Sequence, residues 1–172
     1  MSVDLADLVS PWRTAVVTSE MQNGVVGEEA ALPELAAAAR AGALPATVRL
    51  VEAARRAGVE VVHALYERRA DGKGANTNAR LKLLPGSPAV EVVPEIGVAP
   101  TDIVLRRTHG IGPMGGTDLD PVLRNLGVTT IVVAGVSVNV AVTNLVMDAV
   151  NLGYNVVLPR DAVCGVPADY AA

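Results

Sequence analysis

Phenylalanine is absent from this 172-residue chain, and one tryptophan and three tyrosines make up its aromatic side chains. Single-strand nucleic-acid binders stack bases on aromatic rings, and no such platform can be assembled from this set. Basic charge is thin as well: 14 Lys and Arg stand against 18 Asp and Glu, the net charge is -4, and basic residues never run longer than a pair. A polyphosphate backbone finds no electrostatic footprint here. The lone Cys164 excludes an internal disulfide and any zinc or redox motif built on paired thiols, and it fits a reducing compartment. No segment approaches the roughly 20 continuous apolar residues of a membrane span. The opening MSVDLADLVSPWR carries acids and an early Pro where a secretory leader needs a basic flank and an apolar run. The expectation is a soluble, cytoplasmic protein with no nucleic-acid or membrane partner.

What is present is apolar: 51% of residues are hydrophobic and 19% charged, the balance of a chain that collapses around a core. The length suits one domain, residues 1–172. Short β-rich runs recur as TAVVTS (14–19), VEVVHAL (59–65), DIVLR (102–106), TTIVVAG (129–135) and YNVVL (154–158). Helical patterns lie between them at 33–40, at 44–57 before Gly58, at 118–126 before Gly127, and at 139–152 before Gly153. Residues 66–101 read mostly as connection, with a weak helical signal over 79–84. Near-continuous apolar strands alternating with helices predict parallel βαβ units, hence a three-layer α/β/α sandwich with a mainly parallel, Rossmann-like sheet. The chain stops where a further helix is expected to cover the last strand, so either the end is missing or a partner covers that face.

In an open parallel sheet, ligands bind beyond the carboxyl ends of strands flanking a switch in strand order. Glu20, Arg106 or Arg107, and the turn from Gly135 to Ala141 fall there. Alternation along a strand sends adjacent arginines to opposite sides, and Arg107 is the favoured pocket residue. His109 opens the loop HGIGPMGG and is a candidate acid, base or hydrogen-bond donor. That loop lacks the Lys and Ser/Thr of a phosphate-binding P-loop and reads as a pocket wall. Ser137 is a candidate helix cap, and Asn139 and Asn144 have open roles. Cys164 reads as a small buried residue and Asp161 as a tie between loops. Tyr66 and Arg68 read either as pocket entrance or as exposed loop.

EMQN (20–23) after a strand, PGSPAVEVVPEI (85–96), DIVLRR (102–107), GTDLDPVLRNLGVTTIVVAGV (116–136) and DAVNLGYNVVLPRDAV (148–163) cover most of the chain. In kind and order they resemble the motifs of the isochorismatase-like, or cysteine hydrolase, family. The resemblance implies an Asp, a Lys and a Cys converging on one pocket. The Cys sits at the first turn of the helix after the fourth strand, where the helix N-terminus favours thiolate and backbone N–H groups hold an oxyanion. The Asp takes the thiol proton and the Lys supports the charge. A non-proline cis bond near Val136 and Ser137 and a homo-oligomer, dimer or tetramer, are implied as well.

This sequence departs from the pattern at each catalytic position. The Asp position carries Glu20, the Lys position Arg107 or Arg106, and the Cys position, reading GVSVNVAV, carries Ala141. Gln22, Arg106, His109, Val136, Ser137 and Val140 are expected around the substrate. His63 matches a common strand motif of the family, but the nicotinamidase metal set of one Asp and two His is missing, so neither metal nor cofactor is expected. One subgroup, the phenazine-type isochorismatases, works without the cysteine by protonating a vinyl ether and letting water complete the cleavage. On that pattern Glu20 is the acid and Arg107 holds a substrate carboxylate through its fork. The chain then hydrolyses a small anionic or amide-type metabolite. The alternative is an inactive member that binds a small anion at the helix N-terminus and arginine, or serves as a structural oligomeric protein.

Overall fold

Apolar runs become strands where both faces can be buried. In the computed structural model, which describes residues 4–71, 73 and 83–171, they form β1 (Thr14–Ser19), β2 (Glu60–Tyr66), β3 (Ile103–Arg107), β4 (Thr130–Val136), β5 (Asn155–Val157) and β6 (Val163–Cys164). The order is β3-β2-β1-β4-β5 with β6 beside β4, and these strand pairs are all parallel. β1 and β4, at the centre, are buried along their whole length, which is why their sequences read as unbroken apolar runs.

The helices, in chain order, are α1 (Leu5–Leu8), α2 (Asn23–Val26), α3 (Pro33–Ala38), α4 (Leu44–Ala57), α5 (Leu119–Asn125), α6 (Thr143–Asn151) and α7 (Ala168–Ala171). One sheet face packs Val16, Val61, Leu65 and Val132 against Leu35, Leu44 and Val51 of α3 and α4. The other packs Val17, Val62, Ile131 and Val133 against Leu119, Leu123, Leu145 and Ala149 of α5 and α6. Two cores separated by one sheet make the expected three-layer α/β/α sandwich.

The two helices expected before β2 are one helical run. α3 passes through a π-helical turn at Ala39–Ala43 directly into α4. Pro45 has no N–H and its ring displaces the carbonyl four residues back, and a wider turn just ahead of it absorbs both effects without breaking the run. Gly58 then ends α4 at a φ of 69°. A π-helical turn at Val138–Val142 likewise opens the run into α6. Strand ends move by one residue from their expected places at β2, β3, β4 and β5. β6 lies outside the expectation altogether, because two residues are too few to show alternation. The signal over residues 79–84 falls mostly outside the described residues. Among the described residues, no helix is long and apolar enough to cross a membrane.

A buried polar chain ties the sheet to α4. The Asp102 carboxylate accepts from Arg55 Nη2, from the Ala99 N–H at 2.8 Å and from His63 Nε2 at 3.2 Å. With Nε2 donating, His63 Nδ1 is left to accept the Thr18 hydroxyl at 2.8 Å. Burial works to raise the Asp102 pKa, but the hydrogen bonds from Arg55, Ala99 and His63 overcome it and hold the carboxyl below its ordinary value. Burial lowers the pKa of His63, with its hydrogen bond to Asp102 opposing.

Candidate active site

The strand order reverses between β1 and β4, and the loops leaving their carboxyl ends open a cleft there. Glu20, the first residue past β1, turns into the left-handed region at φ 55° while its N–H still bonds Ala64 O at 2.9 Å. The turn swings the carboxyl away from the line of the strand. Gly135, paired with Ser19, holds φ 113°, and a Cβ there would stand 2.2 Å from Ser19 O. Only glycine lets β4 come that close to β1. A cis peptide between Val136 and Ser137 follows, at the position the resemblance implied.

Arg107 ends β3, two strands from β1, and crosses over β2 to reach Glu20. Its guanidinium lies 5.0 Å from the Tyr66 ring centroid, and Nη2 donates to Glu20 Oε1 at 2.5 Å. A strand spacing of about 4.8 Å makes this a span that only a long side chain covers. Nη2 also approaches Ile111 O at 3.4 Å, whereas Nε and Nη1 are buried with no hydrogen-bond partner. Burial raises the Glu20 pKa and the Arg107 charge and hydrogen bond pull it down; burial prevails.

Glu20 and Arg107 line a cavity of about 280 Å³ together with Tyr66, Ser137, Asn139, Val140 and Ala141. The remaining wall comes from Gly24, Val25, Leu32, Leu35, Gly110, Ile111 and Val166. Ala141 presents a methyl group and is almost fully buried. Ser137 stands at the helix-cap position, yet its side chain does not cap. Its hydroxyl instead donates to Asn139 Oδ1 at 3.1 Å, and Asn139 Nδ2 donates to Val166 O at 3.0 Å.

Several expected residues are elsewhere. Gln22 is fully buried and spent on the backbone: its amide donates to Tyr66 O at 2.8 Å and its carbonyl accepts from Tyr66 N–H at 2.8 Å. It braces β2 beneath the cavity and does not line it. Arg106 points to the opposite side from Arg107, as alternation requires, and pairs with Glu91 at 3.1 Å. His109 is exposed and lines a second cleft of about 150 Å³ with Arg106, Asp118 and Arg107, which stands between that cleft and the cavity. Val136 is fully buried and accepts the Ser19 hydroxyl at 2.9 Å through its carbonyl. Cys164, expected to be buried, is half-buried in β6, where burial raises its thiol pKa; it does not line the cavity. Asp161 does link loop to helix, 3.4 Å from Arg49.

Tyr66 is the site residue that sequence reasoning left between two roles. Its register opposite Arg107 is the signal that places it, and only strand pairing supplies that register. Among the described residues, no group of three or more His, Cys, Asp and Glu is placed to hold a metal ion.

Comparison with known proteins agrees with this architecture. The isochorismatase domain family matches residues 14–172. The uncharacterized isochorismatase family protein YwoC of Bacillus subtilis is 40% identical over 73 residues, 42% of this chain and 38% of that protein's length. The ureidoacrylate amidohydrolase RutB of Rhizobium rhizogenes is 29% identical over 186 residues, covering 94% of this chain and 74% of that protein. Among solved structures, a cysteine hydrolase from Pseudomonas syringae pv. phaseolicola superposes with a TM-score of 0.77 at 28% identity, over 92% of this chain and 75% of that one. The chain belongs to the isochorismatase family, with the three-layer α/β/α fold of its solved relatives.

Proposed function

We propose that the chain hydrolyses small anionic metabolites by acid catalysis from Glu20, without a cysteine nucleophile. The observation that carries this reading is the contact of Glu20 with Arg107 at 2.5 Å on the wall of a cavity where Ala141 offers only a methyl group. The motif GVSVNVAV supports reading Ala141 at the position of the family's nucleophile, since it opens the helix after β4 and contributes Ser137, Val140 and Ala141 to the cavity. Cys164 is the one thiol of the sequence and stands outside that cavity. A carboxyl whose pKa is raised by burial keeps its proton nearer to neutral pH and is suited to give it away.

The chemistry suits an enol ether. Glu20 passes its proton to the terminal alkene carbon, whose π pair forms the new C–H bond and leaves an oxocarbenium ion. Water adds to that cation, the resulting hemiketal releases the alcohol and becomes a ketone, and the proton shed by water restores Glu20. No bond to the enzyme forms. Arg107 holds the substrate carboxylate and so fixes the alkene beside the acid. Isochorismate, of the family's name, is such an enol ether and is the first substrate to offer; ureidoacrylate, of the similar Rhizobium protein, carries a carboxylate but no ether and tests amide hydrolysis instead.

Hydrolysis of isochorismate, followed by NMR, is expected with the wild type. Glu20→Gln is expected to lower kcat/KM by about 100-fold or more. Turnover unchanged in that variant contradicts the reading. Saturable anion binding without turnover favours the alternative of a binding member.

A further inference from the structure

We infer that the cavity takes a compact carboxylic acid whose carboxylate meets Arg107 and whose body lies on an aliphatic wall, and takes it up together with one proton lodged between that carboxylate and Glu20. The inference rests on this cavity being the working site and goes further, naming the ligand class and the stoichiometry of its proton.

The carboxylate follows from Arg107. The residue is 6% exposed, its Nη2 is committed to Glu20, and its Nε and Nη1 are buried without an acceptor. Orphaned donors on a buried cation are costly, and what they lack is an anionic oxygen acceptor. The apolar body follows from the rest of the wall. Ser137 and Asn139 satisfy each other and the Val166 carbonyl, which leaves mostly aliphatic surface from such residues as Val25, Leu35 and Ala141. About 280 Å³ accommodates a benzoic acid or a branched aliphatic acid.

The proton follows from the charge count. Glu20 and Arg107 already neutralise one another, so an arriving carboxylate puts two anions on one guanidinium in a largely buried site. Two carboxylates in such a place share a proton. Among the described residues, no second cation lines the cavity to relieve them. Arg106 faces away toward Glu91 and Glu67, His109 opens on another cleft, and Glu34 and Asp169 are exposed. Among the described residues of the wall, Tyr66 is the remaining titratable group.

Titration calorimetry with benzoate as probe tests this on the wild-type protein, in two buffers of different ionisation heat, between pH 5 and pH 8. Benzamide serves as the neutral isostere. The expected result is uptake of one proton per benzoate bound near neutral pH, with Kd weakening about tenfold per pH unit above the Glu20 pKa. Benzamide is expected to bind more weakly and without proton uptake. Glu20→Gln is expected to keep benzoate binding and lose its proton linkage. Benzoate binding with no proton uptake, benzamide binding as tightly at pH 5, or no benzoate binding at all overturns the inference. Benzoate is not hydrolysed, so proton-linked binding with no turnover of any substrate rejects the hydrolytic reading alone, and turnover without proton-linked binding rejects this inference alone.

Discussion

Glu20 and Arg107 work as a pair. The carboxyl at the end of β1 meets a guanidinium that has crossed a whole strand to find it, and the contact closes at 2.5 Å. Because burial outweighs the arginine, the Glu20 pKa is raised. For an acid catalyst the protonated form is active, so kcat/KM is expected to fall as pH rises through that elevated pKa; a pH–rate profile rising over the same range contradicts the assignment. The alternation that separates Arg106 from Arg107 was readable in the sequence, as was the placement of Glu20 at a strand end. The roles of Gln22 and His109 were not, because a glutamine spends its amide on whichever backbone groups strand pairing brings near it, and the path of a glycine-rich loop leaves no periodicity.

Asp102 shows residue-scale energetics away from the cavity. Its side chain is 1% exposed and serves Arg55, His63 and the Ala99 N–H at once. Asp102→Ala is expected to cost about 3 kcal/mol in urea denaturation, since it strands a largely buried arginine. His63 gives this region a pH dependence. Its folded-state pKa is depressed from 6.5, so the unfolded chain binds the proton more readily, and stability is full above pH 6.5 and falls as pH drops through the folded value. Asp102, also depressed, acts in the same direction from its ordinary value of 3.8 downward. Denaturation midpoints that rise as the buffer is taken from pH 7 to pH 5 contradict the assignment of His63.

The elements themselves were largely legible: five strands and the longer helices between them fell where apolar runs and glycine stops put them, while the single turn α2 (Asn23–Val26) is too short to show a period. Pro45 misled because a proline preceded by Leu44 looks like a helix start, whereas a π-helical turn carries the helix past it. Two glycines test the element-level account with opposite signs. Gly135→Ala drives a Cβ to within 2.2 Å of Ser19 O at a φ of 113° and is expected to cost at least about 3 kcal/mol. Gly42, exposed in the π-helical turn with nothing within 4 Å of a built Cβ, is expected to stabilise by about 0.5–1 kcal/mol on replacement by Ala. Thermal denaturation of both variants reads the contrast, and a stabilising Gly135→Ala or a destabilising Gly42→Ala sinks the account of that element.

Over the whole molecule, the outer face of the helix after β4 carries exposed Val140, Met147 and Val150, and Val140 and the exposed Ile111 also line the cavity. We propose this stripe as the seam of the homo-oligomer that the family resemblance implies, since such an apolar stripe is unfavourable in water. Met147→Lys is expected to lower the assembly state seen by light scattering without changing the fold seen by circular dichroism. An unchanged mass leaves that stripe outside any interface.

The scaffold fixes where a reacting group stands, and the residues placed there fix which chemistry it does. Here the scaffold is that of a cysteine hydrolase family, while the cavity presents a carboxyl, a guanidinium and a methyl group. The most direct measurement is hydrolysis of isochorismate by the wild type, Cys164→Ser and Glu20→Gln side by side. Acid catalysis without a thiol predicts equal turnover by the wild type and Cys164→Ser, and loss of it in Glu20→Gln. Turnover abolished by Cys164→Ser, or surviving intact in Glu20→Gln, contradicts it.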